Sequence, residues 1–114
     1  MIGFTIKKGD RREPLTVTLR GSDGQAADLS GLAPAAITFR MRKAGAAVST
    51  VDAAVTRIES PATAGRVTYE WAAGDTAEPG LYDAEWEVTF ADGKPATFPS
   101  EGFFTIHVAD DLAT

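Results

Sequence analysis

The chain has no cysteine in its 114 residues, so neither disulfides nor cysteine-ligated metals hold it together. It also has no asparagine, which excludes N-linked glycosylation. One histidine, His107, leaves no histidine pair for a metal site and no partner for a serine–histidine relay. No apolar run approaches the ~20 residues that cross a bilayer, so no membrane partner is expected. The first residues lack a basic leader followed by a long apolar stretch, so no secretory signal is expected. Basic residues are in the minority, 11 against 16 acidic for a net charge of −5, which argues against nucleic acid as the partner. Internal repeats, heptads and a long helical period are absent as well.

What is present suits one ordinary domain over residues 1–114. The apolar fraction is 44% and the charged fraction 24%, enough to bury a self-sufficient core at this length. Charge is unevenly spread. Residues 1–57 hold nine basic and five acidic side chains, for +4; residues 58–114 hold two and eleven, for −9. Basic strands of the first half can pair with acidic strands of the second inside one sheet. Alternatively, the asymmetry gives a dipolar surface that docks against copies of the chain or a neighbour.

The clearest structural signal is residues 81–90, where Tyr82, Ala84, Trp86, Val88 and Phe90 alternate with Leu81, Asp83, Glu85, Glu87 and Thr89. Period two of this length marks a strand with one face in a core and one in water. Tyr82 follows a turn ending in Gly80, the placement of a tyrosine corner, whose hydroxyl ties back to upstream backbone. Six further strands are expected at residues 2–7, 15–20, 36–43, 51–58, 66–71 and 104–108, the fourth as a weak edge strand whose Ala53-Ala54 would also suit a short helix. Tyr69, Trp71 and Trp86 fall on inward phases. Asp92-Gly93 favours a type I′ hairpin, so the last strand should return antiparallel on the sixth. Pro95, Pro99 and a bulge at Ser100-Glu101-Gly102 interrupt that return. The expected fold is all-β, an immunoglobulin-like antiparallel β-sandwich of about seven strands.

The residues offer no chemistry. His107 lies on the outward phase of the last strand. Asp83, Glu85 and Glu87 form a row on one strand face, not a cleft pair for glycoside hydrolysis or a loop that wraps calcium. Arg40 and Arg42 are expected to neutralise that row from the neighbouring strand. Gly21-Ser22-Asp23-Gly24 precedes no helix and no Lys-Ser/Thr, so it is a turn and not a phosphate loop. No serine sits in a Gly-x-Ser-x-Gly elbow. Catalytic, metal-ligating and cofactor-binding residues are therefore expected to be none, and no cofactor is expected. One basic cluster, Lys7, Lys8, Arg11 and Arg12, is the candidate interface, interleaved with Asp10 and Glu13.

The motifs and their order carry a resemblance. Phe4-Thr5-Ile6-Lys7-Lys8-Gly9-Asp10 opens the set, followed by residues 15–19, Gly24 and Asp28-Leu29-Ser30-Gly31. Ile37-Thr38-Phe39-Arg40-Met41-Arg42, Gly65-Arg66-Val67-Thr68-Tyr69-Glu70-Trp71 and Asp75-Thr76 come next. Gly80-Leu81-Tyr82, Glu85-Trp86-Glu87-Val88, Asp92-Gly93 and Phe98-Pro99 complete it. Over nearly the whole chain this resembles the immunoglobulin-like N-terminal domain of baseplate upper proteins of tailed bacteriophages, and small phage proteins like it. The resemblance implies a virion structural protein without catalysis, docking on other phage structural proteins and on copies of itself. Tail, baseplate, connector or capsid decoration are its possible places, after synthesis in the host cytoplasm. The family's helical linker and distal receptor-binding part have no counterpart in these residues. The competing expectation is a carbohydrate-binding or adhesion sandwich, which needs exposed aromatics.

Overall fold

Alternation sorts this chain's residues between a shared interior and two solvated faces. The computed structural model describes residues 3–112 and contains nine strands among them. These are β1 (Phe4–Lys7), β2 (Leu15–Thr18), β3 (Ile37–Lys43), β4 (Val51–Ala54), β5 (Arg57–Ile58), β6 (Arg66–Tyr69), β7 (Gly80–Thr89), β8 (Pro95–Phe98) and β9 (Phe104–Ala109). Short 3-10 turns occupy Pro34–Ala36 and Ala62–Ala64. One sheet runs β1-β9-β7-β3-β4, with β8 also on β7, and the other runs β2-β6-β5. The molecule is an all-β sandwich.

β7 is the spine. Its inward residues Tyr82, Ala84, Trp86 and Val88 are no more than 2% exposed, as the alternation requires. β3 pairs with it from Ile37↔Val88 to Lys43↔Tyr82. The Phe39 ring on β3 lies 4.8 Å from Tyr69 of the facing sheet and 5.1 Å from Trp86, its neighbour on β7, centroid to centroid. Burying such a side chain contributes roughly 1.5–3 kcal/mol. Leu29 and Leu32, in the loop after β2, pack on this core.

Four details depart from the sequence expectations. Residues 51–58 are two strands, because the chain changes sheet: Val55 N–H donates to Ile37 on one side and Thr56 N–H to Thr68 on the other. The β7–β8 turn is not type I′. Gly93 has φ of 82° while no non-glycine residue among the described residues has positive φ, and Gly93 N–H bonds the Phe90 carbonyl. That is a three-residue loop with a glycine bulge. The return after it is split: β8 covers the far half of β7, and β9 covers the near half after the 99–103 link. Finally, β1 pairs with β9 in parallel, so the wider sheet is mixed. The first expected strand began at Ile2, which lies outside the described residues.

Candidate docking surface

One end of the sandwich is stapled by side chains between Tyr69 and Tyr82, two of which bond backbone carbonyls of the distant loop at residues 8–14. The loop of residues 8–14 lies on the β6–β7 connection. Gly9 N–H donates to the Thr76 carbonyl at 2.9 Å, and the Thr76 hydroxyl donates to the Asp10 carbonyl at 2.9 Å. The Trp71 indole N–H donates to the Glu13 carbonyl at 3.0 Å. Trp71 itself lies two residues beyond the end of β6, still buried. Asp75 accepts from the Tyr69 hydroxyl at 2.6 Å and from Ala72 N–H at 2.8 Å, closing the turn. The Tyr82 hydroxyl donates to the Glu78 carbonyl at 2.6 Å, four residues upstream. Burial, then the Glu78 carboxylate, raises the Tyr82 pKa; burial, then the bond to Asp75, raises that of Tyr69.

The basic cluster rides on this stapled loop. Lys7, Arg11 and Arg12 are exposed and Lys8 is half-buried. Lys7 Nζ reaches the Asp110 carbonyl at 3.4 Å, and Arg11 Nε the Trp71 carbonyl at 3.3 Å. None of the four joins an ion pair among the described residues. Their charge is thus offered outward from a fixed loop. Lys43 is different: it holds Glu78 at 2.7 Å, which lowers the Glu78 pKa and raises its own.

The outer face of the wider sheet carries the carboxylate row. In register, Arg40 stands opposite Glu85 and Arg42 opposite Asp83. The ion pairs of Arg40 go elsewhere: to Glu87 at 3.2 Å on the diagonal and to Asp52 on β4 at 3.3 Å. Long side chains reach diagonal neighbours as readily as direct ones. Arg42, Asp83 and Glu85 make no ion pair among the described residues and border a cleft of about 290 Å³ with Phe103. Phe103 and Leu81 are 50% and 48% exposed, so two large apolar side chains stand in this charged field. His107 sits on the same face between Leu81 and Thr5 in register. No group of three His, Asp or Glu among the described residues is placed to hold a metal ion.

The aromatics that would form a sugar platform are inside: Tyr69, Trp71, Tyr82 and Trp86 are 5%, 3%, 1% and 2% exposed. Sequence reasoning missed Asp75 and Thr76 as staples; their signal was two hydrogen-bonding side chains in a breaker-rich turn after a tryptophan. It also missed Leu81 and Phe103. Leu81 was legible as the one apolar residue on the outward phase of β7. Comparison of the chain with family models, with curated proteins and with solved structures yields no match.

Proposed function

We propose that this chain is a non-enzymatic docking module of a tailed-phage particle, an immunoglobulin-like sandwich that binds other particle proteins and copies of itself. The observation that carries the docking reading is the pair of half-exposed apolar side chains, Leu81 and Phe103, among unpaired Asp83, Glu85 and Arg42. Apolar anchors ringed by charge are the makings of a protein contact: packing supplies affinity, and complementary charge sets orientation. The basic loop at Lys7, Lys8, Arg11 and Arg12 offers the opposite sign. Head-to-tail contact between unlike surfaces generates rings when the rotation closes. The immunoglobulin-like reading is supported by strand neighbours: β3, β7 and β9 lie together, as do β2, β6 and β5, matching strands C, F, G and B, E, D of that sandwich. The particle itself is inferred from the sequence resemblance. Mass spectrometry and cryo-electron microscopy of purified virions test it: the chain is expected in stoichiometric amounts, and its absence from intact particles overturns the reading.

A further inference from the structure

The two sheets are unequal, six strands against three, and the narrow one ends at β2. Hydrogen-bond parity fixes which backbone groups face out from that edge. Leu19 N–H donates to the Gly65 carbonyl at 2.8 Å, and the pairs Val17↔Val67 and Leu15↔Tyr69 share its phase. Residues in that phase exchange ladder bonds with β6; those between, Thr16 and Thr18, aim their N–H and C=O groups away from it. The far side of β6 agrees. There the carbonyls of Thr68 and Arg66, opposite Thr16 and Thr18, accept from Thr56 and Glu59 at 2.8 and 2.9 Å. No strand among the described residues pairs with the outer edge of β2.

Beside this edge the wider sheet overhangs. A groove of about 480 Å³ opens between β2 and the 99–103 link, floored by Trp86, Phe98 and Phe104 and walled by Val17. These side chains are on the inward phase, yet Val17 and Phe104 stay only partly buried. The groove's charged residues are one cation, Arg20, and one anion, Glu101. Val17 and Phe104 thus lie partly accessible next to an unpaired ladder, above the buried Trp86 and Phe98.

We propose that β2 is a strand acceptor: an extended, uncharged segment of another polypeptide, apolar at alternate positions, adds to its outer edge and fills the groove. A row of outward N–H and C=O groups is matched by extended main chain, whereas a helix has already used its own backbone groups. Alternate side chains of an added strand point to one face, here into the groove beside Val17. Charges that balance at the groove favour an uncharged occupant. The alternating segments among the described residues already lie in the two sheets, so none of them supplies the added strand. This goes beyond the particle reading and stands without it.

The test uses the intact protein, isotope-labelled, and a panel of end-blocked octapeptides with threonine at odd positions and Val, Ile, Leu or Ala at even ones. The expected result is at least ~10-fold slower hydrogen exchange at the Thr16 and Thr18 amides, with a shift of the Trp86 indole signal. Methylating the peptide amides that face β2 should abolish both. Thr18→Pro removes an outward N–H that the fold does not use, so it should lose peptide binding at an unchanged unfolding midpoint. If that variant does not fold, the methylated peptides on the natural protein decide. The proposal is overturned if no peptide perturbs these amides at about 1 mM, or if methylated peptides bind equally. Protection that rises with protein concentration alone would assign the edge to a second copy and overturn it too.

Discussion

Replacing Tyr82 by phenylalanine removes one oxygen atom and leaves the ring, so the interior gains no cavity. What is lost is the 2.6 Å bond to the Glu78 carbonyl, in a side chain only 1% exposed. If that carbonyl stayed dry the cost would be about 1–3 kcal/mol. Glu78 is exposed, however, so water can reach its carbonyl in the variant, and the loss falls to the net worth of a hydrogen bond, about 0.5–1.5 kcal/mol. Urea unfolding should show a lower midpoint at constant slope, and heating a melting point lower by roughly 2–6 °C. The pH dependence adds a second readout. Burial and the Glu78 carboxylate raise the folded-state pKa of Tyr82 above its ordinary value. A group whose folded pKa is raised contributes stability that is complete below its unfolded pKa, about 10, and is lost as pH rises through the folded one. The gap between natural protein and variant should therefore be full at neutral pH and close in the alkaline range. An unchanged midpoint at neutral pH, or a gap indifferent to alkali, would refute the corner's role.

A double-mutant cycle on Arg40 and Glu87 should give about 0.2–1 kcal/mol of coupling that fades with salt, and the same cycle on Arg40 and Glu85 close to none. Gly65→Ala should lower the urea midpoint by the equivalent of at least ~1–3 kcal/mol. Gly65 has φ of 68°, and an added Cβ would lie 2.9 Å from both Ala27 N and the Leu19 carbonyl. Tryptophan emission should be blue-shifted and resist iodide, because Trp71 and Trp86 are 3% and 2% exposed; red, quenchable emission would contradict this packing and revive the sugar-binding reading. Thr76→Val should leave the core intact but speed amide exchange at Gly9, since it deletes the hydroxyl bond to Asp10.

Faces were legible in the sequence where one side of a strand is buried and the other is wet. β7 and β3 are such strands, and every inward residue assigned to them from Ile37 to Met41 and from Tyr82 to Val88 is buried. The tyrosine corner was legible for a related reason, since a tyrosine on an inward phase just after a turn has one nearby set of backbone acceptors. The 51–58 stretch failed because Val51 and Val55 are both buried by the same period although the chain leaves one sheet for the other between Val55 and Thr56. The Asp92-Gly93 turn failed because a glycine bulge and a type I′ turn share that dipeptide, and only the backbone angle of Asp92 separates them.

Docking features were less legible, and the reason is geometric. Alternation records which face of a strand is buried; it is silent about which edges are paired. Leu15, Val17 and Leu19 would read identically in the middle of a sheet and at its border, because their inward phase is the same in both. The diagonal reach of Arg40 to Glu87 is lost for the same reason, since phase places both outward without fixing how far either side chain leans. Edges emerge only when strands are assigned to sheets. With β1 drawn to β9 and the narrow sheet left with β2, β6 and β5, the outward amides of Thr16 and Thr18 meet no fourth strand among the described residues. Natural sheets blunt such edges with charge, proline or cover. β2 itself carries no charged residue and no proline, and Arg20, just past its end, is bound back to the Gly24 carbonyl at 3.1 Å. Pro14 stands just before β2, but neither proline nor charge falls on Thr16 or Thr18, whose outward amides beside the apolar groove are open to an added strand.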